Sequence, residues 1–191
     1  MDTAQALIME RGFAGVSIDS IIEAVGITKG AFFYHFKSKS ELARALISRF
    51  QQTDIQLYRD FSERARKLSR DPLQSMLIYI GLFEEMFDEM DSIYPGCLVA
   101  SYIYELQQFD EEIQGVVSET FLMWRSILKE WFDEIIEKYP PKIEVDTTYL
   151  ADMFTSTIEG AFIMAKGLND IKETPQQLRQ YKNYIELLFT P

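Results

Sequence analysis

Residues 17–41, SIDSIIEAVGITKGAFFYHFKSKSE, decide the fold of this chain. The first part has the i, i+3, i+4, i+7 spacing of a helix with one buried face, formed by Ile18, Ile21, Ile22 and Val25. Gly26 follows this stripe, where a left-handed residue readily ends a helix, and Thr28 can cap a second helix, TKGAFFYHF. A helix, a glycine turn and a second helix form the arrangement that sets a recognition helix into the DNA major groove.

The remaining segments also have a helical period, and none has the alternation of a strand. Ser38 and Glu41 have the spacing of a capping box, in which each side chain accepts the other's backbone N–H. We predict an all-α protein with a three-helix head, residues 1–45, and a six-helix body, residues 46–191. Counted from their caps, the nine predicted helices span about 2–11, 17–26, 28–36, 38–68, 71–94, 97–107, 110–138, 146–168 and 174–188.

Composition excludes several classes of protein. Hydrophobic residues make up 47% of the chain, enough for a sizeable core. No apolar run reaches the roughly 18 residues of a membrane helix, and a single cysteine, Cys97, excludes an internal disulfide and favours a cytoplasmic location. The net charge is −11, but residues 1–50 carry +1 and the remainder −12. Such a chain would hold DNA at one end only.

The run from Ile8 to Leu42 resembles the TetR (tetracycline-repressor-like) family of bacterial transcriptional regulators. The resemblance rests on the ERGF end of helix 1 and on GITKGAFFYHFKSKSEL across helices 3 and 4. It covers about the first fifty residues, and GCLVASYIYEL in the body is a weaker likeness. It implies a DNA-binding repressor, active as a homodimer on a palindromic operator. It also implies a C-terminal domain that dimerises and binds a small-molecule effector, whose binding shifts helix 4.

Eight residues of the motif are candidate DNA contacts. Lys29 can reach a phosphate or a guanine edge, Tyr34 and His35 stand where they would meet phosphates, and Lys39 at the start of helix 4 is a further phosphate partner. Gly30 lets the backbone approach DNA closely, while Phe33 either packs in the head or touches a thymine methyl. The complete set is Ser17, Thr28, Lys29, Gly30, Phe33, Tyr34, His35 and Lys39.

Aromatic and apolar stripes in the body predict a pocket and an interface. A pocket among helices 4 to 8 is expected to be lined by Phe61, Phe83, Phe87, Tyr102, Trp124 and Met164. The resemblance implies that helices 8 and 9 of two subunits form a four-helix interface, for which the stripes supply Phe154, Ile158, Phe162, Tyr181 and Ile185. The acidic run within residues 84–91 is interpreted as a solvated face.

Three alternatives remain at this stage. The first is a helical small-molecule-binding protein whose head no longer binds DNA, favoured by the net charge and by Phe33, where the family usually has tyrosine. The second is an enzyme, but His35 is the single histidine and no nucleophile–base pair, metal cluster or cofactor motif is apparent. The third is a thiol-switched regulator, because Cys97 follows Pro95-Gly96 at a helix N-terminus.

Overall fold

The computed structural model describes residues 1–190, and every regular element in that range is a helix. The all-α prediction is therefore confirmed. A single 3₁₀ turn, Leu106–Gln108, follows the sixth helix. The α-helices are α1 Asp2–Arg11, α2 Ile18–Val25, α3 Lys29–His35, α4 Lys39–Leu68, α5 Pro72–Asp88, α6 Leu98–Tyr104, α7 Glu111–Lys138, α8 Thr147–Leu168 and α9 Glu173–Phe189.

Short polar side chains begin most of these helices. Ser17 accepts a hydrogen bond from the backbone N–H of Ser20 and so caps α2. Asp71 caps α5 through the N–H of Gln74, and the proline that follows it occupies the first turn. Asp110 accepts the N–H of Ile113 at the start of α7. These starts agree with the sequence, whereas α5 ends six residues earlier than predicted, at Asp88.

The capping box at the start of α4 forms with one change. The Ser38 hydroxyl accepts the N–H of Glu41 at 3.1 Å, as predicted. The carboxylate of Glu41 accepts the N–H of Lys37 at 2.6 Å, one residue before the expected donor. The two hydrogen bonds tie the α3–α4 turn to the first turn of α4, so the recognition helix leads directly into the long helix.

The chain folds into two compact units. The first consists of Met1–Asp54 and Pro95–Phe121, and the second of Ile55–Tyr94 and Leu122–Pro191. The boundary predicted from the sequence lies after residue 45, and the first unit groups residues 95–121 with the head. Helices α4 and α7 each contribute residues to both units.

The core of the second unit is aromatic. Tyr58 meets the rings of Tyr79, Phe83, Trp124 and Phe154 at centroid distances of 5.2–6.3 Å. Edge-on and offset contacts of this kind add to the free energy gained by burying the rings. Helix α9 packs against both α5 and α8 and closes this core.

One acidic residue of the run 84–91 is buried rather than solvated. Glu84 is 8% exposed, and its carboxylate accepts hydrogen bonds from Arg179 and Lys182 on α9. Burial raises the pKa of Glu84, but the bonds from Lys182 and Arg179 outweigh it, so the pKa lies below its usual value. The sequence interpretation was wrong here because the two cations are about a hundred residues away.

Within residues 1–190, no helix has both the length and the apolar character that crossing a membrane requires. In the same range, no group of three or more His, Cys, Asp or Glu side chains is placed to hold a metal ion.

Candidate nucleic-acid interface

The α2–α3 pair has the predicted helix-turn-helix form. Gly26 ends α2 in the left-handed conformation, with φ 72° and ψ 34°, and its N–H bonds to the carbonyls of Ile22 and Glu23. Ile21 on α2 and Phe32 on α3 are the buried residues that hold the two helices in the head. Val25 was predicted to share this buried face, but it is 39% exposed because it lies at the turn.

Helix α3 presents a mixed aromatic and polar face to solvent. Tyr34 is 85% exposed and Phe33 43%, and His35 meets the Tyr34 ring edge-on at 5.0 Å. A Cβ built on Gly30 would meet only the Thr28 hydroxyl, at 3.9 Å, so the protein itself leaves this side of α3 open. The recognition helix thus offers an uncovered surface to a groove.

Two other predicted contacts are used in helix capping. The Ser17 hydroxyl is the N-cap acceptor of α2, and the Thr28 hydroxyl accepts the N–H of Ala31 at 3.2 Å as the N-cap of α3. Both side chains are exposed. A hydroxyl can accept one hydrogen bond and still donate another, so capping leaves each free to donate to a phosphate.

Lys29 stands in the first turn of α3 and is exposed. Its ammonium lies 3.2 Å from the Asp19 carboxylate on α2, with about two thirds of the lysine side chain accessible. An exposed ion pair of this kind contributes little to stability, so the ammonium can exchange Asp19 for a phosphate at small cost.

The structure corrects the role of Lys39. Its ammonium donates to the backbone carbonyl of Phe13 and lies 4.0 Å from the centre of the Phe13 ring. Burial lowers the pKa of Lys39, with the charge of Glu105 acting in the opposite direction. The ammonium therefore has a partner within the head itself, whereas the sequence assigned it to a phosphate. Lys37, which the sequence interpretation passed over, is the exposed cation at the α3–α4 turn.

The structure also corrects the predicted dimer-interface residues. All five are buried within the single chain, the most exposed being Ile158 at 7%. The Tyr181 hydroxyl donates to the Leu150 carbonyl at 2.8 Å, and the Tyr181 ring packs on Phe154. The stripe chosen from the sequence is the face that joins α8 and α9 to the core. It comprises Phe154, Ile158, Phe162, Tyr181 and Ile185.

The predicted pocket residues are divided between the two compact units. Tyr102 belongs to the first unit, where its hydroxyl donates to the Ala43 carbonyl at 3.1 Å and its ring stacks on Phe109. The other five belong to the second unit, but Met164 is 44% exposed. Phe83 packs on Phe61 at 4.8 Å, Phe87 on Phe162 at 5.4 Å, and Trp124 stacks on Tyr58. Phe83, Phe87 and Trp124 thus each pack on another aromatic ring of the same unit.

An open depression of about 430 Å³ lies elsewhere, ahead of α8, lined by Glu144, Val145, Asp146 and Thr147. It includes none of the predicted pocket residues.

A capped helix pair with an open recognition face, on an otherwise helical chain, defines a helix-turn-helix DNA-binding regulator. Comparison with known proteins agrees. The sequence-family model for bacterial regulatory proteins of the tetR family matches residues 1–46 of this chain. The family model for the C-terminal domain of LmrA/YxaF-like transcriptional regulators matches residues 72–180. The chain belongs to the TetR family of bacterial transcriptional regulators.

Individual relatives are distant. The chain is 24% identical over 160 residues to the repressor DhaR of Mycobacterium sp. (strain GP1), covering 84% of this chain and 77% of that protein. It is 24% identical over 159 residues to the regulator AcuR of Cereibacter sphaeroides, and the match covers 83% of this chain and 71% of AcuR.

Solved structures show the same fold. A TetR-family regulator from Agrobacterium tumefaciens has a TM-score of 0.78 at 24% identity, covering 99% of this chain and 95% of that one. A TetR regulator from Chloroflexus aurantiacus has a TM-score of 0.77 at 22% sequence identity, and the match covers 98% of this chain and 92% of that one.

Proposed function

We propose that this protein is a cytoplasmic repressor that binds a palindromic operator as a homodimer and is released by a small-molecule effector. The observation that carries the proposal is the uncovered face of α3, where Lys29, Gly30, Phe33, Tyr34 and His35 are all exposed. Tyr34 is 85% exposed, and Phe33, whose ring meets that of Phe32 edge-on at 5.4 Å, is still 43% exposed beside Lys29. A base edge or thymine methyl for Phe33, and phosphates for Tyr34 and Lys29, give each group a partner.

Affinity for the operator requires two heads. One seven-residue recognition helix spans only a few base pairs, so a second copy placed one helical turn away, about 34–36 Å, multiplies both affinity and specificity.

An exposed apolar face on α8 and α9 supports dimerisation. Its large residues are exposed by 36% to 64% in the single chain: Met153, Ile163, Met164, Leu168 and Leu187. A Cβ on Gly160 or Gly167 would meet nothing within 4 Å, so packing within the chain does not require glycine at either position. Small residues beside large apolar ones allow two helices to approach closely. We propose that the dimer interface lies on this exposed face of α8 and α9, and not on the buried stripe through Phe154 that the sequence suggested.

The aromatic cluster of the second unit supports an apolar or aromatic effector. Phe83 lies against Tyr58, Phe61 and Phe154, and a ligand of this class would insert among these rings by displacing one of them. An effector that binds better to the form with low operator affinity would release the DNA by differential binding. A thermal-shift screen of small aromatic compounds, followed by operator release, tests this part.

The DNA-binding proposal is tested by selection from random-sequence duplexes with the full-length protein. The wild type is expected to enrich a palindrome, and Tyr34→Ala and Lys29→Ala to bind it more weakly. Tyr104→Ala is the matched control, because Tyr104 is 74% exposed and lies on α6, outside the α2–α3 pair. Failure of the wild type to enrich any sequence would support the alternative of a helical ligand-binding protein without DNA activity.

A further inference from the structure

A carboxylate from outside the head holds the turn between α1 and α2. Glu105, directly after α6, accepts the backbone N–H of Phe13 at 2.6 Å and that of Ala14 at 2.7 Å, each on its own oxygen. The two partners lie more than 90 residues from Glu105 in the sequence but in the same compact unit. Charge-assisted hydrogen bonds to consecutive N–H groups fix both the position and the direction of the turn.

The backbone of the turn is shaped for this carboxylate. Gly12 has φ 74°, a conformation that other residues rarely adopt. A Cβ on Gly12 would lie 2.6 Å from one Glu105 oxygen, too close for any side chain. Glycine at this position therefore serves both the turn and the approach of Glu105.

Phe13 is bound from three sides. The Lys39 ammonium lies over its ring and donates a hydrogen bond to the Phe13 carbonyl. The ring itself packs on Phe109 at 4.6 Å and on Tyr102 at 6.1 Å. The positive charge of Lys39 also compensates the Glu105 carboxylate. We call the set Gly12, Phe13, Ala14, Lys39 and Glu105 the turn clamp.

We propose that Glu105 is a positioning residue for DNA binding: through the turn clamp it fixes the head on residues 95–121, and so sets the orientation in which α3 meets the operator. This inference rests on the proposed function. Glu105 makes its bonds to backbone N–H groups and not to DNA, so it acts through the head. A dimer whose heads are loosely held loses more conformational entropy when both heads bind their half-sites at once, which weakens binding to the palindrome. Binding to a single half-site needs only one folded head and does not carry this loss.

The test compares Glu105→Gln with wild type on two duplexes: the palindrome selected by the wild type, and the same duplex with one half-site scrambled. Glu105→Gln removes the charge and one acceptor, so the variant is expected to lose about tenfold or more in affinity for the palindrome and to stay within about twofold on the half-site. Hydrogen exchange at the Phe13 and Ala14 amides is expected to accelerate. Glu119→Gln, the same change at an exposed site of the same unit, is the control.

Gly12→Ala provides a second variant that keeps the Glu105 side chain: the added Cβ displaces the Glu105 carboxylate and also strains the backbone of the turn at φ 74°. It is expected to show the same difference between palindrome and half-site. Equal losses on both duplexes would mean that the clamp only keeps the head folded, and unchanged palindrome binding would mean that it positions nothing; either result overturns the inference alone. A wild type that selects no DNA overturns the proposed function, and the inference with it.

Discussion

Lys29 and Lys39 both belong to the proposed DNA-reading motif, but their ammonium groups have different surroundings in the structure. We expect Lys29→Ala to reduce the salt dependence of operator binding and Lys39→Ala to leave it unchanged. The reason is that the Lys29 ammonium is exposed and paired with Asp19, whereas the Lys39 ammonium is engaged by the carbonyl and ring of Phe13.

The magnitude follows from counterion release. Each phosphate neutralised by a cation contributes about −0.9 to the slope of log Kobs against log salt concentration. A dimer has two copies of Lys29, so Lys29→Ala is expected to make the slope shallower by about 1.8. Between 50 and 200 mM salt, this difference changes the ratio of wild-type to variant affinity by about tenfold.

Fluorescence anisotropy on a labelled operator at four or more salt concentrations measures both slopes. For Lys39→Ala we expect a loss of stability of about 1 kcal/mol from the cation–π contact, and any loss of affinity to be the same at every salt concentration. A Lys39→Ala slope that shifts as much as that of Lys29→Ala would show that Lys39 contacts phosphate, and would refute our account of its role.

Three further predictions concern the second unit. Ile163→Glu, on the exposed face of α8, should convert the dimer to a folded monomer in analytical ultracentrifugation; a dimer that persists would place the interface elsewhere. Tyr181→Phe removes a buried hydrogen bond to the Leu150 carbonyl and should lower Tm by about 2–4 °C; an unchanged Tm would contradict the role of that bond. Burial raises the pKa of Asp71, but hydrogen bonds from Lys138, Tyr139 and a backbone N–H bring it down to about 2, below its usual value. Its contribution to stability is therefore present above about pH 4 and lost as the pH falls toward 2; denaturation at several pH values should show this loss in wild type and not in Asp71→Asn.

The local signals of the sequence were sufficient to identify the helices and the starts of most of them. Ser17, Gly26 and Thr28 predicted the ends of α2 and α3 because capping depends on residues within four positions of one another. The exposed face of α3 followed from the same spacing. These parts of the DNA-reading head were accessible without a structure.

The errors concern contacts between distant segments. Periodicity showed that α8 has an apolar stripe through Phe154, but α8 also has a second apolar face through Ile163, and only packing decides which one the chain covers itself. The contact between Lys39 and Phe13 was missed because Phe13 is 26 residues away in the sequence. The contact between Glu105 and the turn was missed because an isolated glutamate after a helix has no local signature. Charge and period describe a residue's neighbours in sequence, not its partners in space.

The central claim is that two recognition helices of a dimer read one operator. Hydroxyl-radical footprinting of the wild-type protein on its selected operator tests this most directly. We predict two protected segments on one face of the duplex, separated by one helical turn or a small multiple of it, about 10–10.5 base pairs per turn, and both weakened together by Tyr34→Ala. A single protected segment, or a footprint that Tyr34→Ala leaves unchanged, would contradict the account.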